Sequence, residues 1–197
     1  SPNSGGIVDV PETMRTTFGI ALLGAAIIAI TYGLARFVLG LFLPLIREDL
    51  GLSATQAGLI GALPFISFIL AIIAAPGLSE KLGPRVAGLI ALGIAILGLS
   101  FVAITPDALL LSLGVVLCGI STGLSSPILA DAVYAGVTPG LRARVNSIHN
   151  AGTSVGVALA MPVSLYLISD WRAAYGRLAW LAVIAGIGAL FGLPRNT

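Results

Sequence analysis

The stretch Pro76-Gly77-Leu78-Ser79-Glu80-Lys81-Leu82-Gly83-Pro84-Arg85 separates two apolar runs, each long enough to cross a lipid bilayer. Its Gly83-Pro84 pair interrupts a continuous helix. Three charged side chains within it are costly to bury in lipid; they are Glu80, Lys81 and Arg85. The sequence therefore predicts a tight hairpin turn at a membrane surface.

The composition of the whole chain agrees with a membrane location. Of the 197 residues, 57% are hydrophobic and 9% are charged, whereas a soluble domain carries about 25% charged residues. Too few polar side chains are present to cover a globule in water, so we predict a polytopic membrane protein. The formal net charge is only +2, and the basic residues form no patch, so the sequence does not favour nucleic-acid binding.

The same composition limits redox, metal and nucleotide chemistry. A single cysteine, Cys118, lies inside an apolar run, so no intramolecular disulfide can form and no redox or zinc motif exists. A single histidine, His149, excludes an all-histidine metal site within one chain. No nucleotide-binding loop occurs, so direct use of ATP has no support. We therefore expect neither a metal nor a cofactor.

The apolar runs predict an all-α membrane protein with six spanning helices, each near or above the roughly 20 residues that a bilayer requires. The predicted helices are Thr17–Leu45, Ala54–Leu78, Val86–Thr105, Ala108–Val137, Val145–Ile168 and Ala173–Leu193. Short connections with turn signals join them. Residues 1–13 are polar and are expected to be a disordered tail or a tag, and residues 14–197 are expected to form one transmembrane domain.

The distribution of basic residues predicts the orientation of these helices. One side of the membrane collects six of them, and the other side has two or three. The first group is Arg15, Lys81, Arg85, Arg142, Arg144 and Arg195, and the second is Arg47, Arg172 and Arg177. The richer side is expected to be cytoplasmic, which places both termini inside, in a bacterial plasma membrane.

The turn at 76–85 resembles the loop between helices two and three of the major facilitator superfamily of transporters. That pattern reads roughly Gly-x-Leu-x-Asp-Arg-x-Gly-Arg-Arg, and five residues fall in register with it: Leu78, Glu80, Lys81, Gly83 and Arg85. Pro76 stands in place of the first glycine, with Gly77 one position later, and Pro84 stands where a basic residue is common.

Four further motifs resemble the same family, in order and with plausible spacing. They are Arg36-Phe37-x-x-Gly40-x-x-x-Pro44, Leu50-Gly51-Leu52-Ser53-x-x-Gln56-Ala57-Gly58, Arg142-x-Arg144 and Trp171-Arg172. Two positions depart from the family pattern. Gly114 stands where many members carry an arginine, and Gly156-Val157 stands where drug/proton antiporters typically show Gly-Pro.

The resemblance implies a fold and a function. Superfamily members have about twelve helices in two similar halves that hold the substrate between them. This chain matches the first half, with six helices in two three-helix repeats. It is therefore expected to be a fragment, or to pair with a second copy or a second six-helix chain. The implied function is transport of a small solute by alternating access, driven by an ion gradient or by the solute's own gradient, rather than enzymatic catalysis.

Arg36 is the first candidate for binding the substrate. It lies inside an apolar helix, where an arginine costs about 2.5–3.5 kcal/mol on insertion scales, so we expect a partner that offsets this cost. Tyr32 and Gly40 share its face, one turn away on either side. In a cavity, the guanidinium would bind an anionic substrate through two hydrogen bonds. Alternatively, it is a structural arginine that pairs with a helix carbonyl or with an acid of the missing half.

A polar stripe opens the fifth predicted helix. Asn146, His149, Asn150 and Thr153 are spaced at i, i+3, i+4 and i+7. This pattern predicts a water-filled inner vestibule, with His149 and Asn150 as further candidates for binding the substrate. A hydrogen-bonded packing role for His149 remains the alternative.

The resemblance also implies a conformational latch, in which the 76–85 loop meets the inner end of helix four. Its expected members are Gly77, Glu80, Lys81, Gly83, Arg85, Asp131 and Arg142. Asp131 is the one acid well inside an apolar run, so proton coupling through Asp131 is an alternative to the latch.

Two alternatives come from other classes of protein. Gly119-Ile120-Ser121-Thr122-Gly123 fits the Gly-x-Ser-x-Gly motif of rhomboid-type intramembrane proteases. However, helical rise places His149 about 12 Å deeper than Ser121, and a serine–histidine pair needs about 2.6–3.2 Å. The other alternative is a membrane subunit or assembly factor that transports nothing itself.

Overall fold

The computed structural model of the protein describes residues 10–166 and 169–195, and its regular structure in these ranges is helical throughout. The prediction of an all-α protein is thereby confirmed. The elements in chain order are α1 (Val10–Ile28), a π-helical segment (Ala29–Arg36), α2 (Phe37–Leu50), α3 (Ala54–Ile104), α4 (Ala108–Gly136), α5 (Pro139–Tyr166) and α6 (Trp171–Gly192). The first three follow one another without a break and form one long rod.

α3 consists of two helical arms, residues 54–82 and 84–104. Gly83 separates them with φ 78° and ψ 158°, a backbone conformation that is open essentially only to glycine. Ala71 and Ala75 of the first arm share one buried cluster with Ala87 and Ala91 of the second arm. The chain therefore folds back on itself at Gly83, as the hairpin prediction requires.

The extent of this hairpin differs from the prediction. Residues 76–82 are helical, Pro76 included, and the second arm begins at Pro84 instead of Val86. The expected ten-residue turn is thus a reversal at one residue. Proline is well placed at the start of a helix because its fixed φ is helical and its missing N–H has no intrahelical acceptor there.

Three other helices also begin earlier than predicted, α6 by only two residues, at Trp171. α1 starts at Val10, seven residues before Thr17, so residues 10–13 are helical where disorder was expected; residues 1–9 lie outside the described part of the chain. α5 starts at Pro139 instead of Val145, so most of the expected connection 138–144 is helix. The arginines in that connection extend from exposed helical turns, where they need not be buried. The predicted end of this helix, Ile168, also lies outside the described residues.

Several helix ends follow signals that the sequence displays. Ser53 and Gln56 form a capping box at the start of α3, with reciprocal bonds of 3.1 and 2.9 Å. The carboxylates of Asp107 and Asp170 accept backbone N–H groups at the starts of α4 and α6, each at 2.9 Å. These bonds satisfy donors that have no partner within the helix. Gly51 ends α2 with φ 63°, the left-handed conformation typical of a glycine after a helix.

α4 packs against both arms of α3 through glycines. Gly119 lies against Pro64 and Ser67 of the first arm, whereas Gly98 of the second arm and Gly114 of α4 face each other. A methyl group on Gly98 would lie 2.8 Å from the carbonyl oxygen of Gly114. Since lipid gives helices no hydrophobic drive to associate, close backbone approach of this kind stabilises their packing.

α5 packs along the first rod through Gly152 and Gly156. Gly152 rests on the backbone of Ala25, and Gly156 rests on Ala29 and Gly33. Residue numbers rise together on the two elements, so they run parallel. These close approaches let the two backbones pack directly on each other.

By length and composition, four stretches of the described helices could cross a membrane. They are Arg15–Leu50, Ala54–Ile104, Ala108–Gly136 and Trp171–Gly192. α3, with 51 residues, would be about 76 Å long if straight, more than twice the thickness of a hydrocarbon core. α5 is less apolar, because its first half carries two arginines and several amide and hydroxyl groups. The count of six crossings thus stays a prediction.

Candidate functional site

Arg36, the last residue of the π-helical segment, lies between two aromatic rings. Its guanidinium carbon is 4.5 Å from the ring centre of Phe65 and 4.8 Å from that of Phe68, both on the first arm of α3. Such cation–π contacts stabilise a partly desolvated arginine. Within the described ranges, Arg36 has no carboxylate partner and no hydrogen bond. The guanidinium carbon thus lies over both rings, and no described residue accepts a hydrogen bond from its N–H groups.

Tyr32 lies beside Arg36, as the sequence predicts. Its ring packs edge-on against Phe68, with the ring centres 5.9 Å apart. Its phenol lies near the Ser126 side chain of α4 and is close enough to the Arg36 guanidinium for electrostatic interaction. The π-helical segment therefore places a cation and a hydroxyl in one aromatic cluster.

A cleft of about 260 Å³ opens next to this cluster, between α2 and the first arm of α3. Arg36 is the one charged side chain among its walls, which are otherwise apolar; the remaining lining residues are Phe37, Leu39, Gly40, Leu43, Gly61, Pro64 and Phe65. Pockets for small molecules are typically about 300–1,000 Å³ and mostly apolar, with few polar groups. The cleft thus has the chemistry of a small binding site with one cationic anchor.

His149 and Asn150 do not join Arg36 and Tyr32. The His149 ring is buried, packs over Gly24, and places Nε2 3.0 Å from the carbonyl oxygen of Ile20. Because that oxygen can only accept, Nε2 carries the proton and donates. Asn150 is exposed. Gly156 packs on Gly33 and the two helices run parallel, so Arg36 lies at the level of residue 159. Asn150 is nine residues before that level, which separates it from Arg36 by about 13 Å along the helix axis.

The expected latch residues form no charge network in the described part of the chain. The Arg85 Nε donates to the carbonyl oxygen of Leu193 at 2.6 Å. Arg142 donates to the carbonyl oxygens of Tyr134 and Val137, both at 3.0 Å, and stacks on the Tyr134 ring. Glu80, Lys81 and Gly77 are exposed, Asp131 is half-buried, and Gly83 forms the turn. Among the described side chains, Asp131 and Glu80 have no ion-pair partner.

Sequence reasoning missed a shared role of the arginines at helix ends. Arg172 donates to the carbonyl oxygen of Thr105 at 2.6 Å, at the end of α3, and stacks on Trp171. The Trp171 indole in turn donates to the Asp49 carboxylate at 2.6 Å. Arg85 binds the end of α6, and Arg142 binds the end of α4. A cation favours a helix C-terminus because the last carbonyls lack intrahelical donors and carry partial negative charge.

The Gly-x-Ser-x-Gly motif serves packing in this structure. The Ser121 hydroxyl is buried and donates to the carbonyl oxygen of Cys118 at 3.0 Å. Gly119 and Gly123 lie against the first arm of α3. His149 is bonded to Ile20 on another helix. This geometry offers no serine–histidine pair and disfavours the protease alternative.

One of the two departures from the family pattern, Gly114, has a packing reason. A side chain on Gly114 would place Cβ 2.8 Å from Val102 and 2.9 Å from the carbonyl oxygen of Gly98. An arginine at this position would therefore force α4 away from the second arm of α3. Gly156 lies against the π-helical segment, where Gly33 is its neighbour.

The all-helical fold, its apolar helices and the arginine within them define an integral membrane protein. Residues 25–197 match the model of the Major Facilitator Superfamily, which is most of the chain, so the protein belongs to this family. The fold is similar to that of the proton:xylose symporter XylE bound to 6-bromo-6-deoxy-D-glucose, a member of the same superfamily, with a TM-score of 0.81 and 17% sequence identity. The match covers 93% of this chain and 46% of XylE, so the chain spans about half of that protein.

Proposed function

We propose that this chain is one half of a transporter that moves a small organic anion across a membrane by alternating access. The observation that carries the proposal is Arg36, held between Phe65 and Phe68 with no acid or hydrogen-bond acceptor for its N–H groups in the described residues. A desolvated cation without a counter-charge is unfavourable. A bound carboxylate would offset that cost through two parallel N–H···O bonds.

The size of the cleft and the polarity of its walls limit the charge and size of the solutes that can bind. One guanidinium faces walls that are otherwise apolar, so the preferred solute has one carboxylate and a small uncharged body. Tyr32 lies beside Arg36 and outside the lining of the cleft, and its hydroxyl is the second polar group that we propose for the substrate. The 260 Å³ of the cleft suits the anionic end of the solute, and the rest of the solute would contact an opposite wall.

That opposite wall is the proposed partner: a second six-helix unit, whether the remainder of a longer chain, a second copy or another protein. Support comes from the 46% coverage of XylE and from the apolar side chains that the first arm of α3 exposes, such as Ile66, Ile69 and Ile73. In this arrangement residues 14–197 form one domain that crosses the membrane six times, as two three-helix repeats, because the two arms of α3 cross separately and α5 crosses as well. Both termini are cytoplasmic, and the membrane is a bacterial plasma membrane.

The latch belongs to the same proposal. Glu80 and Asp131 have no ion-pair partner among the described residues, so their carboxylates are available to basic groups of the second half in the outward-open state. A Glu80→Ala variant should therefore shift the protein toward the inward-open state. Energy comes from an ion gradient or from the gradient of the solute itself.

Uptake by the full-length protein in proteoliposomes tests the transport proposal. The solutes are lactate and benzoate, each beside its neutral amide, so that charge is varied at nearly constant shape. We expect saturable uptake of at least one carboxylate and not of its amide. Arg36→Lys and Arg36→Ala should abolish this uptake while leaving the amount of folded protein unchanged, because neither side chain can form the two-bond contact.

Arg177→Ala is the matched control, because Arg177 is an exposed arginine of α6 that does not line the cleft. Normal uptake by both Arg36 variants would refute the role of Arg36. If no carboxylate is taken up, and a stable partner protein co-purifies, the protein is better described as a subunit that transports nothing itself.

A further inference from the structure

We infer that Thr122 is a positioning residue for the anion site, because it holds the π-helical segment that sets the direction of Arg36. The inference rests on the proposed function only for its effect on substrate binding. The structural part, a hydroxyl of α4 that fixes the register of the first rod, stands on its own contacts.

The register of the segment Ala29–Arg36 decides what Arg36 contacts. A π-helix bonds each carbonyl to the N–H five residues on, whereas an α-helix bonds it to the N–H four residues on, so a π-helical turn contains about one residue more. If the segment became α-helical, α2 would rotate about the axis of the rod relative to α1. The rotation would be roughly 100°, which corresponds to one residue of an α-helix. Tyr32 and Arg36 both lie in this segment. A change of register would therefore remove Arg36 from between Phe65 and Phe68.

Thr122 reaches this segment from α4. Its side chain is completely buried, and its Oγ1 lies 3.0 Å from the carbonyl oxygen of Thr31 and 2.8 Å from that of Cys118. The hydroxyl proton is thus shared between its own helix and the backbone of the residue next to Tyr32. Thr31 is also completely buried, so its carbonyl depends on protein donors.

The opposite side of the segment rests on α5. A methyl group on Gly156 would lie 2.7 Å from the Cα of Gly33, so the two backbones are in direct contact. Thr122 on one side and Gly156 on the other confine the segment between α4 and α5. The contact between Gly156 and Gly33 allows the two helices to pack closely. The hydrogen bond from Thr122 to the carbonyl of Thr31 favours one register of the segment over another.

Three substitutions separate this role from general packing. Thr122→Val keeps the shape and removes the hydroxyl, whereas Thr122→Ser keeps the hydroxyl. Ser125→Ala is the matched control, because Ser125 is a buried hydroxyl one turn along α4 that donates to Ser121 of its own helix at 2.7 Å. Only Thr122→Val removes the bond to the π-helical segment.

The first readout is hydrogen–deuterium exchange of peptides covering residues 29–36 in the full-length protein in nanodiscs. Loss of one buried hydrogen bond should speed exchange there by about five- to ten-fold in Thr122→Val. Exchange should stay near the wild-type rate in Thr122→Ser and Ser125→Ala. Equal exchange in Thr122→Val and Ser125→Ala would overturn the inference, whether or not the protein transports anions.

The second readout is the kinetics of uptake, with whichever of lactate and benzoate is transported. Thr122→Val should raise KM by about five-fold or more with Vmax nearly unchanged, and Thr122→Ser should restore KM. A fall in Vmax at constant KM would contradict a positioning role. If exchange responds as expected while Arg36→Ala transports normally, the proposed anion site fails and the register role of Thr122 stands.

Discussion

A pair of glycines on the second arm of α3 allows the packing against α4 to be tested quantitatively. Gly98 faces the backbone of α4, and a methyl group there would lie 2.8 Å from the carbonyl oxygen of Gly114 and 2.9 Å from the N of Cys118. Gly93, on the same arm, has no atom within 4 Å of the corresponding position. Gly98→Ala and Gly93→Ala therefore make the same chemical change in two different surroundings.

The expected difference in stability follows from these distances. Each alanine gains about 0.5–1 kcal/mol of helix stability over glycine, and this gain cancels when the two variants are compared. Gly98→Ala alone must push backbone atoms apart, and overpacking of this kind costs about 1–3 kcal/mol. At about 2–4 °C per kcal/mol for a chain of this size, Gly98→Ala should melt roughly 2–12 °C below Gly93→Ala.

Thermal unfolding of both variants in the same detergent, followed by intrinsic tryptophan fluorescence, measures this difference. Gly93→Ala should melt at or slightly above the wild-type temperature. Equal melting temperatures for the two alanine variants would mean that α3 and α4 do not approach each other at Gly98 and Gly114.

Further substitutions test the helix-end contacts and the histidine. Arg172→Met should lower the melting temperature more than Arg177→Met, because only Arg172 binds the carbonyl of Thr105 and stacks on Trp171; equal effects in a melting scan would contradict the capping role. The amide of a His149→Gln variant can still donate to the carbonyl of Ile20, whereas the side chain of His149→Leu cannot. Size-exclusion chromatography should therefore show more folded protein for His149→Gln than for His149→Leu. The reverse order would show that the bond to Ile20 does not stabilise the fold.

The sequence predicts those parts of the fold that local chemistry determines. Gly83 is readable as a turn because a glycine-proline pair among charges cannot continue a membrane helix. The starts of α3 and α4 are readable because Ser53 and Asp107 are good N-caps. The exact extent of the hairpin cannot be predicted from the sequence. Pro76 lies within a helix that is stabilised by packing against neighbouring helices.

The early start of α5 was missed for a related reason. Charged residues ordinarily indicate a loop, but arginines in exposed turns can extend from a helix and bind the end of another, as Arg142 does. Arg85 and Arg172 bind carbonyls that are far away in sequence, and no local pattern indicates which carbonyl an arginine will reach.

The candidate site was predictable in part. Arg36 is conspicuous because a cation inside an apolar run needs a partner, and Tyr32 is placed near it by helical spacing. The sequence does not distinguish Phe65 and Phe68, since aromatic residues in a membrane helix are ordinary. The π-helical segment has no local sequence signature here and depends on contacts from Thr122 and Gly156. His149 was assigned to a polar stripe, although it faces α1 whereas Asn150 of the same stripe is exposed.

The central claim, that Arg36 binds a carboxylate, is tested most directly by equilibrium binding. Isothermal titration calorimetry on the full-length protein would compare the transported carboxylate with its neutral amide, in wild type and in Arg36→Ala. We expect the wild type to bind the carboxylate at least about ten-fold more tightly than the amide, because the charged contact contributes about 1.5–3 kcal/mol. In Arg36→Ala that preference should disappear. An undiminished preference for the carboxylate in Arg36→Ala would contradict the account.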